Sequence, residues 1–118
     1  MKVGIIGCGF IGNEIAKFLD NNKKYELTAL NDINKPNAMN LLEILKNNSP
    51  KLMNLNDLIK KCDLIIESAS KEVVAEILND RNLDYKNKIL LLLSTGGLIG
   101  NIDLLMKTKN CRIFLPSG

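Results

Sequence analysis

Three glycines near the start of the chain, Gly7, Gly9 and Gly12, form the pattern Gly-x-Gly-x-x-Gly. A pattern this short arises by chance and can be a plain tight turn. Its surroundings give it weight. It follows the apolar run Lys2–Ile6, it opens an amphipathic stretch, and an acidic side chain, Asp32, stands twenty residues beyond Gly12 at the end of the next apolar run. In that setting each glycine has a task. Gly7 permits the turn from strand to helix, Gly9 lets bare backbone approach a pyrophosphate, and Gly12 lets the helix pack closely on the sheet. The first-turn N–H groups, those of Phe10 and Ile11 among them, and the helix dipole then favour an anion at the helix N-terminus.

Asp32 is placed to accept hydrogen bonds from the adenosine ribose hydroxyls of a dinucleotide. A carboxylate there repels a 2′-phosphate, so NAD is favoured over NADP. Lys35 nearby softens that discrimination, and no arginine stands beside it to clamp a phosphate. Within Asn31-Asp32-Ile33-Asn34 the aspartate also reads as an ordinary turn former. Two further small-residue loops follow apolar runs: Ser68, Ala69 and Ser70 after Glu67, and Ser94, Thr95, Gly96 and Gly97 after Leu93. In an open α/β sheet, ligands bind outside the carboxyl ends of the strands, and small residues let backbone approach a flat cofactor. Ser70 reads equally well as a helix cap, and the glycine pair as a turn.

Other chemistry is sparse. The chain contains no histidine, the commonest proton-transfer group at neutral pH. Cys8, Cys62 and Cys111 are too far apart in sequence for a short-spaced metal motif, and their odd number argues against a disulfide framework. They suit a reducing cytoplasm. Cys8 lies in the glycine loop, yet a catalytic thiol there is not expected. No catalytic residue and no metal ligand is assigned. The net charge of +3 is spread with both signs along the chain, which predicts no nucleic-acid surface. No apolar run reaches the ~20 residues of a membrane span.

The elements that must position these residues follow from the apolar pattern. Short continuous runs at Lys2–Ile6, Glu26–Leu30, Leu64–Glu67, Ile89–Leu93 and Arg112–Leu115 predict strands buried on both faces, the mark of a parallel sheet. A weaker strand is expected near Lys51–Asn54. Helices are expected around Ile11, Ile15, Phe18 and Leu19; around Met39, Leu41, Leu42 and Leu45; over Leu55–Lys61 with Asn54 or Asn56 as cap; around Val73, Val74, Ile77 and Leu78; and around Ile102, Leu105 and Met106. The lysine pairs at 23–24 and 60–61 read as helix ends favoured by the dipole. The alternation predicts one α/β domain over residues 1–118, a doubly wound parallel sheet of about six strands of the Rossmann type. With an apolar fraction of 46% it can bury a core.

The order of motifs resembles the N-terminal part of the L-aspartate dehydrogenase family. The resemblance rests on the glycine fingerprint, on Glu67-Ser68-Ala69-Ser70, on Leu93-Ser94-Thr95-Gly96-Gly97 and on Pro116-Ser117-Gly118. It implies oxidation of L-aspartate to iminoaspartate with hydride passed to NAD or NADP, a place in NAD biosynthesis, and a homodimer with a second domain that holds substrate and a catalytic histidine. A chain of 118 residues without histidine is then expected to be the cofactor-binding half, inactive alone. A non-catalytic NAD(H)-sensing module and a domain of a related enzyme such as homoserine dehydrogenase are the competing readings.

Overall fold

The computed structural model describes residues 1–80, 84–94 and 111–116. Six strands, β1 (Lys2–Ile6), β2 (Glu26–Asn31), β3 (Lys51–Leu52), β4 (Leu64–Glu67), β5 (Ile89–Leu92) and β6 (Arg112–Phe114), form one sheet. Its order is β3-β2-β1-β4-β5-β6, and every pairing is parallel. Four helices connect them among the described residues: α1 (Phe10–Asp20), α2 (Lys35–Ile44), α3 (Leu55–Lys61) and α4 (Lys71–Asn79). The expected helix around Ile102, Leu105 and Met106 lies outside the described residues, as do Thr95, Gly96, Gly97, Ser117 and Gly118.

Parallel strands need crossovers, and the helices that supply them cover both faces. On one face α1 and α2 bury Ala16, Leu19, Ala38 and Leu41 against Val3, Ile5, Leu27, Leu30 and Ile66. On the other, α3 and α4 bury Leu58, Ile59, Val74, Ile77 and Leu78 against Ile6, Ile65, Leu90 and Leu92. The chain leaves β1 towards β2 and later returns to β4 on β1's opposite side, so the carboxyl ends of β1 and β4 form the switch point where such sheets open a crevice.

Local chemistry sets the ends of these elements. Asn54 Oδ1 accepts from Asp57 N at 2.8 Å and caps α3. Lys60 and Lys61 occupy its last turn, where Lys88 Nζ also donates to the carbonyls of Lys60 and Cys62. The pair at 23–24 plays no such part: α1 ends at Asp20, and Lys17 is the base in its last turn.

Two features depart from the simple pattern. Along β1 and β2 the register steps from Val3↔Leu27 to Gly4↔Ala29. Thr28 is therefore an inserted bulge residue, and Leu27 and Leu30 share one core while Ala29 joins the other. In α1 only part of the apolar stripe is buried, Leu19 fully and Ile15 in part. Ile11 and Phe18 are exposed, and Gly12, Ala16 and Leu19 face the sheet. Small residues let this helix approach the strands closely, which is what a tight β1–α1 turn requires.

Candidate cofactor site

The glycine loop is fixed by its neighbours. Gly7 has φ +93°, a conformation only glycine adopts without strain. It is also crowded: a Cβ there would lie 2.7 Å from Ala69 N and from Ser68 C. Ser68 Oγ donates to Gly7 O at 2.7 Å, and Ser68 N to Ile6 O at 2.8 Å. A Cβ on Gly12 would collide with Gly7 O and lie 3.0 Å from Ser68 Oγ. The loops after β1 and β4 thus meet backbone to backbone. Gly9 is the contrast. It has ordinary extended geometry as the first residue outside α1, and a Cβ on it would meet nothing within 4 Å. Nothing within the protein forbids a side chain there, and Gly9 itself lines a cleft.

The N-termini of α1 and α2 receive no side-chain cap, whereas α3 and α4 are capped by Asn54 and Ser70; of the two uncapped helices, only α1 starts at the carboxyl end of a central strand, β1. Asn13 N closes the first backbone bond onto Gly9 O. The N–H groups of Phe10, Ile11 and Gly12 come before it and have no partner within the helix. This is the arrangement that binds a diphosphate. A cleft of about 330 Å³ lies over it, lined by Gly7, Gly9, Asn31, Asp32, Ser68, Ala69 and Ser70 among others. A second cleft of about 430 Å³ shares Asn31, Asp32 and Ile33 and extends over Leu30, Ala38, Leu52 and Met53 towards the β3 edge. Together they suit the pyrophosphate and the adenosine of a dinucleotide. A larger trough of about 740 Å³ on the β2–β3 edge is lined by Lys2, Glu26, Lys51, Asp57, Lys60 and Lys61. It has neither an uncapped helix start nor the carboxyl ends of the central strands, so the smaller clefts are the better candidates.

Asp32 does more than the fingerprint requires. Its Oδ2 accepts from Cys8 N at 2.7 Å and its Oδ1 from Asn34 N at 2.8 Å. The second bond is the turn expected for Asn31–Asn34, and the first ties β2 to the glycine loop. Each carboxylate oxygen retains acceptor capacity for a ribose hydroxyl. Ser70 Oγ accepts from Val73 N at 3.2 Å, so it caps α4 and lines the cleft as well. Phe10 and Ile11 expose their side chains and offer backbone to the site. Ser94 lies at the end of β5 with its N–H bonded to Glu67. Thr95 and Gly96 lie outside the described residues.

Cys8 is buried and its thiol pKa is pushed up to about 12, first by burial and then by the charge of Asp32. A thiol so placed is no nucleophile at neutral pH. The supporting roles of two residues are not evident from the sequence, although Glu67 heads the stretch Glu67-Ser68-Ala69-Ser70. Asn13 Nδ2 donates to Cys8 O and Gly9 O at 2.7 and 3.0 Å, bracing the loop from inside the helix. Glu67 is fully buried, with Oε2 accepting from Ala69 N at 2.7 Å and Oε1 from Ser94 N at 2.9 Å. A glutamate at a strand end reads as solvated, and only its position in the central strand of a doubly covered sheet signals otherwise.

Comparison with known proteins fits this geometry. The model of the family described as "Homoserine dehydrogenase, NAD binding domain" matches residues 7–90. The chain belongs to this NAD-binding domain family. Curated relatives include the L-aspartate dehydrogenases of Methanosarcina acetivorans and Methanocaldococcus jannaschii, 35% and 36% identical. Each alignment takes in the whole of this chain and 45% or 46% of the relative; the chain spans just under half the length of these proteins. Among solved structures, myo-inositol dehydrogenase from Lactobacillus casei in complex with NAD(H) and myo-inositol superposes with a TM-score of 0.76 at 21% identity, covering 98% of this chain and 36% of that one. The V8 variant of the imine reductase from Myxococcus stipitatus, in complex with NAD+, gives 0.75 at 17% identity, covering 95% and 38%. These likenesses support the fold. Among the described residues no helix is long and apolar enough to cross a membrane, and no cluster of His, Cys, Asp and Glu is arranged to hold a metal ion.

Proposed function

We propose that residues 1–118 form one dinucleotide-binding domain and act as the cofactor-binding half of an NAD(P)-dependent L-aspartate dehydrogenase. The observation that carries the reading is the uncapped start of α1, with Gly9 lining the cleft at the β1–β4 switch point and open space on its Cβ side. The nicotinamide group supplies the redox chemistry by accepting hydride. This chain's residues bind and orient it. The N–H groups of Phe10, Ile11 and Gly12 hold the pyrophosphate, Asp32 the adenosine ribose, and the backbone of Ser68 to Ser70 and of Ser94, with Thr95 and Gly96 beyond it, borders the nicotinamide end. The Asp32 carboxylate favours NAD, with NADP admitted through Lys35. No residue in the chain is a histidine, so the imidazole that the aspartate dehydrogenase resemblance calls for has to come from outside these residues, along with the aspartate pocket. A cytoplasmic role in NAD biosynthesis belongs to the same reading.

The family description favours a second reading, a homoserine dehydrogenase domain, but it concerns a model matching residues 7–90. The aspartate dehydrogenases align along the whole chain. The test is titration calorimetry of the chain with NAD and NADH, repeated on Gly9→Asp. Binding by the native chain and none by the variant is expected. NADH production is then measured with two in-frame fusions, one to the remaining part of an aspartate dehydrogenase with L-aspartate and one to that of a homoserine dehydrogenase with L-homoserine. Absence of any binding heat removes the cofactor reading, and turnover by the homoserine fusion alone removes the aspartate dehydrogenase reading.

A further inference from the structure

The sheet assigns a direction to the bound dinucleotide. With the pyrophosphate at α1 and the adenosine over the carboxyl end of β2, the remaining half must run the other way, over the ends of β4 and β5. Glu67 stands at that point. Its backbone belongs to both neighbouring ladders, opposite Ile6 in β1 and Leu92 in β5, and its carbonyl accepts from Leu93 N at 3.0 Å. Its carboxylate reaches past the strand end in two directions, to Ala69 N in the loop before α4 and to Ser94 N just after β5. Both oxygens are used, both donors are backbone, and the side chain is fully buried behind the cleft wall formed by Ser68, Ala69 and Ser70. A buried carboxylate is costly unless fully hydrogen-bonded, and here its hydrogen bonds fix two segments that would otherwise leave the sheet independently.

We infer that Glu67 is a positioning residue that clips the segment after β5 to the loop before α4 and thereby shapes the nicotinamide end of the cleft, leaving the adenosine end to Asp32. The inference rests on the dinucleotide reading above. Glutamine at 67 has the same shape but only one acceptor oxygen, so one of the two N–H groups loses its partner and faces an amide N–H. Aspartate keeps the charge but is one methylene too short to span both.

The experiment compares ADP-ribose, which lacks nicotinamide, with NADH on the native chain, Glu67→Gln and Glu67→Asp, following affinity and NADH fluorescence. The native chain binds both. In the variants NADH affinity falls about tenfold, the effect of one good hydrogen bond, and its emission moves towards that of free NADH, while ADP-ribose, which feels the change only through Ala69 and the shared diphosphate loop, loses several-fold less affinity. Equal weakening of the two ligands, or no change in either, overturns the inference. Failure of the native chain to bind either ligand overturns the dinucleotide reading itself. A measurement on the native chain needs no folded variant: the Ser94 amide is expected to be protected from hydrogen exchange, and exchange at the rate of an open loop refutes the clip.

Discussion

Gly7 and Gly9 belong to one motif, yet the structure assigns them opposite dependences, and alanine at each position separates folding from binding. At Gly7 an alanine must adopt φ +93° and place its Cβ 2.7 Å from backbone atoms of Ser68 and Ala69. Neither neighbour is a flexible side-chain end, so the strain of roughly 1–3 kcal/mol adds to the cost of pushing two loops apart. A total loss of about 3 kcal/mol is expected, or a fall in Tm of roughly 10 °C for a domain of this size. At Gly9 the backbone is at φ −78° and the Cβ meets nothing within 4 Å. Glycine is the better residue at a helix start by up to about 1 kcal/mol, but alanine reduces the freedom of the unfolded chain by a similar amount. Stability should change by less than about 0.5 kcal/mol. Binding should not be spared. A methyl in the diphosphate's path breaks at least one charge-assisted hydrogen bond of about 2 kcal/mol, which weakens NAD binding about thirtyfold. Thermal melts and NAD titrations of the two variants, side by side, measure all four quantities. If Gly9→Ala binds NAD normally, or loses as much Tm as Gly7→Ala, the argument from the vacant Cβ volume fails.

Three further outcomes are expected. Asp20, buried at the end of α1, accepts from the backbone N–H groups of Lys46 and Asn47 and from Asn48 Nδ2; burial acts to raise its pKa, and these bonds outweigh it and hold the carboxyl below its ordinary value. Its stabilisation is therefore present above the unfolded pKa of about 3.9 and lost as pH falls through the lower folded value, so Asp20→Ala should cost about 2–4 kcal/mol at pH 7 and show a flatter acid-unfolding curve than the native chain. The Cys8 thiol, with its pKa raised to about 12 from 9.0, favours the fold below pH 9 and loses that contribution as pH rises towards 12; it should resist alkylation at pH 8 in the folded chain and react on unfolding. Asp32→Ala removes a partner from both Cys8 N and Asn34 N, so it should lower Tm as well as NAD affinity, whereas a purely ligand-facing carboxylate would leave Tm unchanged.

Much of this was readable in the residues. β1 and β4 occupy the expected spans because their apolar runs are buried on both faces, and that requirement leaves an unbroken signature. β2 runs one residue further, to Asn31, while β5 and β6 stop one residue earlier, at Leu92 and Phe114, where hydrogen bonding to a neighbour rather than hydrophobicity decides the end. α3 has the expected limits because Asn54 and the lysine pair mark both of them chemically. Helical spacing misjudged α1: it grouped Ile11 and Phe18 with Ile15 and Leu19, but close approach to the sheet favours Gly12 and Ala16, which carry little apolar signal. Neither the β2 bulge nor the bond from Cys8 N to Asp32 has a local signature, since both depend on which strand lies alongside. The roles of Glu67 and Asn13 stayed hidden because neither bond belongs to a local cap or turn: Ser94 is brought to Glu67 only by strand pairing, and Asn13 reaches back from within α1 to the glycine loop.

The seat at the start of α1 is assembled from distant stretches of chain. Its glycine turn is held by Asp32 from β2 and by Ser68 from beyond β4, and β1 lies between strands that emerge after it. During synthesis, residues 7–12 leave the ribosome long before Ser68 exists to brace them. A nascent chain halted ahead of β4 therefore carries the whole fingerprint and no place for the nucleotide to rest, so loading with cofactor has to wait until β4 and the loop after it have been made.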